Sequence, residues 1–139
     1  MASQTFRDQA LQVLRIEAQA VQQLEQYLDQ HFERACQLIL DASGKVIVSG
    51  IGKSGHIANK IAATLASTGT PAFFVHPGEA SHGDLGMLSA GDIMIAISNS
   101  GETAEVLTIV PVIKRLGIPL IAMTGKPDST LAQVADVHI

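Results

Sequence analysis

Two short loops of this chain carry the residue types that bind anions. The first is Gly-Ile-Gly-Lys-Ser-Gly-His at residues 50–56, and the second is Ser-Asn-Ser-Gly-Glu-Thr at residues 98–103. Each loop follows a short apolar run and leads into a helical pattern. Glycine-rich backbone can approach a ligand closely, hydroxyls can donate hydrogen bonds, and the N–H groups that open a helix favour negative charge. The two loops together predict a phosphate pocket, whose candidate ligands are the hydroxyls of Ser54, Ser98, Ser100 and Thr103.

The glycine spacing of the first loop also matches a dinucleotide-binding fingerprint, Gly50-x-Gly52-x-x-Gly55. That fingerprint expects an acidic residue at the end of the second strand, where this chain has Phe-Phe-Val-His at residues 73–76. A nucleotide-triphosphatase loop expects glycine at position 47, which is Ile47. The alternative that stays open is that these glycines only shape a tight turn between strand and helix.

Charged residues beside the two loops could move protons. Glu102 and Glu105 are three residues apart, which on a helix places both carboxylates on one face near its start, and Lys53 lies on the opposing loop. A carboxylate near a phosphate is repelled, so its presence makes sense where it handles protons on the carbons of a phosphorylated substrate and a cation offsets its charge. The alternative is that both acids only complement the helix dipole. For Ser100 and Thr103 the sequence predicts two roles at once, capping the helix and binding the phosphate.

A longer connection at residues 76–86 carries two histidines and two acids, which is more than joining two strands requires. His82 is its candidate functional residue. The alternative is that these polar side chains only solvate a surface loop.

Composition limits the class of protein. The chain has 139 residues, of which 47% are hydrophobic and 16% charged, which fits one compact domain with an aliphatic core. Its net charge of -4, without a Lys/Arg cluster, argues against a nucleic-acid partner and against an anionic membrane surface. Cys36 is the single cysteine, so neither an internal disulfide nor a metal site built on cysteine spacing is expected. No apolar stretch has the length of a membrane span or signal sequence, and we expect a cytoplasmic protein.

The periodicity of apolar residues predicts an α/β fold. Thr5 and Asp8 form a plausible capping box for a long amphipathic helix over residues 6–28, and a second helix ends near residue 44. Strands and helices then alternate, which is typical of a doubly wound parallel sheet with about five strands in the flavodoxin-like order 2-1-3-4-5. The predicted strands cover residues 45–49, 72–75, 92–97, 120–124 and 136–139, and the predicted helices cover 54–67, 102–116 and 129–135.

This organisation predicts an N-terminal helical extension at residues 1–43 and a sheet core at residues 44–139. Pro111 should kink its helix or mark the boundary of its first turn. In the predicted strand order the sheet reverses its winding between the first and third strands, and ligands bind at that switch point. Ser54 and the loop at residues 98–103 would then face each other across one crevice.

Four segments resemble the sugar isomerase (SIS) domain family, and within it the branch of the bacterial arabinose-5-phosphate isomerases. They are residues 50–56, Ser-Thr-Gly-Thr-Pro at 67–71, the His-Pro-Gly-Glu-Ala-Ser-His-Gly-Asp-Leu-Gly run at 76–86, and Ile-Ser-Asn-Ser-Gly-Glu at 97–102. The likeness extends over nearly the whole chain. It implies reversible conversion of ribulose 5-phosphate to arabinose 5-phosphate, an early step toward the Kdo sugar of lipopolysaccharide, without a cofactor or a metal.

The resemblance also implies residue roles. It gives Ser54, Ser98, Ser100 and Thr103 to the phosphate, makes Lys53 and Glu105 functional, and places His82 in a neighbouring subunit's site. It implies a homotetramer with shared active sites. Further family residues and CBS modules would follow Ile139, so we expect a fragment that is weakly active or inactive alone. Two alternatives stay open: a sugar-phosphate-sensing SIS module without catalysis, and a paralogous isomerase of another pathway.

Overall fold

The computed structural model describes residues 5–80 and 83–139. Its centre is a five-stranded sheet in the order β2-β1-β3-β4-β5, in which all neighbouring strands are parallel. The predicted fold class and strand order are therefore confirmed. The strands are β1 (Val46–Gly50), β2 (Ala72–Val75), β3 (Ile93–Ile97), β4 (Leu120–Met123) and β5 (Val137–His138).

Helices cover both faces of this sheet, as parallel strands of β-branched and aliphatic residues require. Helices α2 (Gln30–Asp41) and α3 (Gly52–Ser67) pack on one face around Val46, Val48 and Ile95. The other face carries α4 (Pro77–Ala80), α5 (Ala104–Arg115) and α6 (Thr130–Val134). Helix α5 runs through Pro111, which lies on its exposed side and marks no boundary.

The first helix stands apart from this core. Helix α1 (Phe6–Gln23) begins with the predicted capping box of Thr5 and Asp8, and none of its residues is buried. The prediction of one helix to residue 28 is wrong at its end, because Leu24–Tyr27 tighten into a 3-10 turn and Asp29 then caps α2. Along the described ranges, no helix is long and apolar enough to cross a membrane.

The strand register brings the carboxyl ends of the strands to one edge. Gly50 pairs with Ile97, and Ile97 pairs with Met123, so the segments that follow β1, β3 and β4 leave the sheet side by side. At the opposite edge, buried Asp92 accepts hydrogen bonds from the N–H groups of Lys45 and Ser89, both at 2.8 Å. That carboxylate fixes the amino ends of the central strands.

Candidate functional site

A crevice of about 350 Å³ opens at the carboxyl edge of the sheet. It lies over the switch point between β1 and β3, where ligands bind in doubly wound sheets. Ser54 of the first loop and Asn99 of the second loop both border it, so the structure brings the two anion-type loops together. The lining residues are Ser54, Ile97, Asn99, Met123, Thr124, Gly125 and Ile139.

The first loop turns tightly into α3. A side chain at Gly55 would collide with the carbonyl oxygen of Gly50, at 2.8 Å from its Cβ, so glycine is required for this close approach. Ile51 occupies the N-cap position in an extended conformation, without a side-chain cap hydrogen bond. Lys53 is exposed and Ser54 half-buried in the first turn that follows. The opening N–H groups of α3 therefore have no side-chain acceptor at the cap and can meet an anion.

The second loop, residues 98–103, is shaped by its own hydroxyls. Ser98 is 3% exposed, and its Oγ lies 2.8 Å from Thr103 Oγ1 and accepts the Gly101 N–H at 3.1 Å. Ser100 Oγ accepts the Glu102 N–H at 3.2 Å. Thr103 is the N-cap residue of α5, but its side chain makes no cap hydrogen bond. The prediction that Ser100 and Thr103 also cap the helix through their hydroxyls is wrong, because both hydroxyls bond to other residues of the loop.

The two acids do not share a helix face, contrary to the spacing argument. Glu102 precedes the N-cap of α5, and its Oε1 accepts the N–H of Thr130 at 2.6 Å. Hydrogen bonds from the backbone and side chain of Thr130 hold the pKa of Glu102 below its ordinary value, and the charge of Lys126 adds to this effect. Glu105 is exposed in the first turn of α5, at the same end of the sheet as Lys53.

Of the seven residues that line the crevice, Ser54 alone is a predicted site residue. Asn99, Thr124 and Gly125 are the polar and turn residues among the other six. The carboxyl end of β4 lies at the same edge of the sheet as that of β3, so residues after Met123 could also have been predicted to reach the ligand. The turn-forming residues that follow Met123 were the signal for this. Thr124 Oγ1 lies 2.9 Å from His138 Nε2 and accepts the Lys126 N–H at 3.1 Å, which orders this turn. A larger cavity of about 760 Å³ adjoins the crevice and shares Thr124, Gly125 and Ile139 with it.

The connection after β2 is only partly described. His76 is exposed, and its Nδ1 accepts the Gly78 N–H at 3.2 Å. The predicted functional residue His82 lies outside the described residues. Within residues 5–80 and 83–139, no three His, Cys, Asp or Glu side chains group in a way that could hold a metal ion.

Comparison with known proteins identifies the family. The SIS domain model matches residues 38–139. Arabinose 5-phosphate isomerase KdsD of Yersinia pestis is 59% identical over 134 residues, which are 96% of this chain and 41% of that protein. The chain thus spans about two fifths of the length of this relative.

Solved structures share the architecture. Escherichia coli CFT073 c3406, solved in complex with arabinose 5-phosphate, superposes with a TM-score of 0.83 at 42% identity, covering 98% of this chain and 74% of that one. A phosphosugar isomerase of Bacteroides fragilis, described as involved in capsule formation, superposes with a TM-score of 0.92 at 40% identity, covering 97% and 72%. The family match, the relatives and the parallel sheet with its two loops agree, and the chain belongs to the SIS domain family.

Proposed function

We propose that this chain is the sugar-phosphate-binding core of an isomerase that interconverts D-ribulose 5-phosphate and D-arabinose 5-phosphate. The observation that carries the proposal is the crevice at which Ser54 and the 98–103 loop meet between two helices without side-chain caps. Such helix ends attract the phosphate dianion through their N–H groups and dipoles. The name of the Yersinia relative and the ligand of the Escherichia coli structure favour this substrate.

In the proposed mechanism the phosphate sits on the openings of α3 and α5. Ser54, Ser100 and Thr103 donate hydrogen bonds to it. Ser98 is buried and orients Thr103 through the hydrogen bond between their hydroxyls. The sugar carbons then extend toward the exposed first turns that carry Lys53 and Glu105.

Glu105 is the proposed base. Its carboxylate takes a proton from C1 of the ketose, which gives a cis-enediol, and returns a proton to C2, while the hydroxyl proton is lost from O1 and gained at O2. Lys53 stabilises the developing negative charge on the enediolate oxygen. No electrons leave the sugar, so this proton transfer needs no redox cofactor.

Assembly and cellular role belong to the same proposal. We propose a homo-oligomer, with a tetramer as the expected form, in which His82 reaches the site of a neighbouring subunit. The product would feed Kdo and lipopolysaccharide biosynthesis in the cytoplasm. A paralogous isomerase of another pathway would have the same substrate and reaction.

The test is incubation of the full-length protein that contains this chain with ribulose 5-phosphate in deuterated water, followed by NMR of the product. We expect arabinose 5-phosphate with deuterium at C2. Binding of arabinose 5-phosphate without turnover or exchange would favour the alternative of a sugar-phosphate-sensing module. Absence of binding, turnover and exchange would overturn the proposed function.

A further inference from the structure

The 98–103 loop is fastened to the segment after β4 by backbone hydrogen bonds. The Ser98 N–H donates to the carbonyl of Met123, and the Gly125 N–H donates to the carbonyl of Asn99, both at 3.1 Å. Further along, the Leu131 N–H donates to the carbonyl of Gly101 at 3.0 Å. The loop therefore takes its shape from residues that lie well beyond it in sequence.

Gly101 makes the closest approach in this contact. It is buried, with a φ of +65°, and a side chain there would run into Ser129. Both the left-handed backbone and the lack of space require glycine. The loop is thus pressed against the start of α6.

Glu102 adds a side-chain tie between the loop and α6. Its carboxylate accepts the N–H of Thr130, the first residue of α6, at 2.6 Å. Ser129 caps the same helix by accepting the Ala132 N–H, so Glu102 satisfies a helix-opening donor that the cap leaves free. A hydrogen bond from an N–H to a charged carboxylate is stronger than the neutral backbone bonds around it. Glu102, like Ser100 and Thr103, lies outside the set of residues that lines the crevice, and its carboxylate is engaged by α6.

We propose that Glu102 is a positioning residue, whose bond to the Thr130 N–H holds the 98–103 loop in the shape that presents Ser100 and Thr103 to the phosphate. The inference rests on the proposed function. This role also explains why Glu102 is present next to a phosphate site, since its carboxylate is bonded to the N-terminus of α6.

Two variants weaken the same contact from opposite sides. Glu102→Gln removes the charge but keeps an acceptor oxygen, and Thr130→Pro removes the donor N–H and the Thr130 side chain. Proline is well tolerated at the first position of a helix, and Ser129 already has the extended ψ of 158° that a residue before proline adopts. Gln133→Ala is the matched control, because it breaks a hydrogen bond at the same helix, from Nε2 to the carbonyl of Asp128 at 3.0 Å, that does not involve the loop.

The first measurement is amide hydrogen exchange at Gly101 and Leu131 without ligand. We expect faster exchange in Glu102→Gln and Thr130→Pro than in the wild type and in Gln133→Ala. The second measurement is calorimetric affinity for arabinose 5-phosphate, which we expect to weaken about tenfold in Thr130→Pro, by no more than that in Glu102→Gln, and no further in the double variant, since both changes act on one contact. Where turnover is measured, KM should rise while kcat stays close to the wild-type value.

The outcomes separate this inference from the proposed function. Unchanged exchange at Gly101 and Leu131 overturns the positioning role whether or not the sugar phosphate binds. Faster exchange with wild-type affinity also overturns it, because the loop would then be loosened without consequence for the ligand. A wild-type chain that does not bind arabinose 5-phosphate contradicts the proposed function, and with it the ligand half of this inference.

Discussion

At the scale of single residues, the hydroxyls of the 98–103 loop divide into two kinds. Ser98 is buried and bonded to Thr103 Oγ1 and to the Gly101 N–H, so it shapes the loop. Ser100 and Thr103 are half-buried and lie outside the residues that line the crevice, but they belong to the loop whose Asn99 lines it, and we propose that their hydroxyls bind the phosphate. Substitutions at these positions should therefore affect affinity first.

Ser100→Ala and Thr103→Val should each weaken the binding of arabinose 5-phosphate. Each variant removes a hydroxyl donor to a charged group, a bond worth roughly 1.5–3 kcal/mol, so the Kd should rise about 10- to 150-fold. Isothermal titration calorimetry measures this change. Thr108→Val is the control, because the Thr108 hydroxyl donates to the carbonyl of Ala104 on the same helix, at 2.8 Å. Unchanged affinity in both test variants would place the phosphate elsewhere.

Glu105→Gln should affect the chemical step instead of binding. The substitution keeps the shape of the side chain and removes the proton acceptor, so turnover should fall by a factor on the order of 10² to 10⁴. Deuterium exchange at C2 gives a sensitive readout, and Glu33→Gln on α2 controls for loss of one negative charge. Near-normal exchange in Glu105→Gln would return Glu105 to complementing the dipole of α5.

At the scale of elements, the sequence was informative wherever structure depends on local pattern. Alternating strands and helices predicted the sheet order, and strand β2 was placed at the residues where it occurs, 72–75. Pattern failed where a distant contact decides the outcome. Glu102 pairs with Thr130, 28 residues away. The three-residue spacing of Glu102 and Glu105 placed both on one helix face, and no local spacing could indicate that the Glu102 carboxylate instead bonds to α6. The domain division at residues 43 and 44 stays a prediction.

An ionised carboxylate, that of Asp136, joins the segment before β5 to α5 and to β4. Asp136 accepts the Leu120 N–H at 2.7 Å and a bond from Lys114 Nζ at 2.8 Å. Burial raises the pKa of Asp136, but the bonds from Lys114 and Leu120 and the charge of Lys114 outweigh it and leave the pKa below the ordinary 3.8. The stabilisation is thus present above pH 3.8 and is lost as the pH falls through the lower, folded value.

Asp136→Asn should lower the free energy of unfolding at pH 7 by about 0.5–1.5 kcal/mol, a modest value because the pair is partly exposed. The difference from the wild type should shrink at acidic pH, where the wild-type carboxylate becomes protonated. Urea unfolding at neutral and acidic pH measures both effects, with Asp128→Asn as the control. A difference that grows toward low pH would contradict this account.

At the scale of the whole molecule, α1 presents an apolar surface that the described core does not cover. Its residues Val13, Leu14 and Val21 are 51%, 61% and 67% exposed. Their spacing places Leu14 and Val21 on one stripe of the helix, with Gln12 and Gln19 on the opposite side. An exposed apolar stripe of this kind marks an interface, which agrees with the proposed homo-oligomer.

The chain should therefore be at least a dimer in solution, and Leu14→Lys with Val21→Lys should shift it toward monomer. Two charges on the stripe would have to be buried without partners in the assembly, at a cost that exceeds the contact's gain. Light scattering on a size-exclusion column gives the mass. Gln12→Lys with Gln19→Lys adds the same charge on the other side and should leave the mass unchanged. A monodisperse wild-type monomer would refute the association.

The bare openings of α3 and α5 have a thermodynamic consequence. Neither helix start has a side-chain cap hydrogen bond, so the folded chain can offer these donors to an anion that the unfolded chain cannot hold. A ligand that binds only the folded state raises the free energy of unfolding by RT ln(1 + [L]/Kd), about 2.7 kcal/mol at one hundred times Kd. The melting temperature of the chain, measured in rising concentrations of different phosphorylated sugars, thus ranks the affinities of those sugars. The chain's preference among sugars can therefore be measured by thermal unfolding without an activity assay.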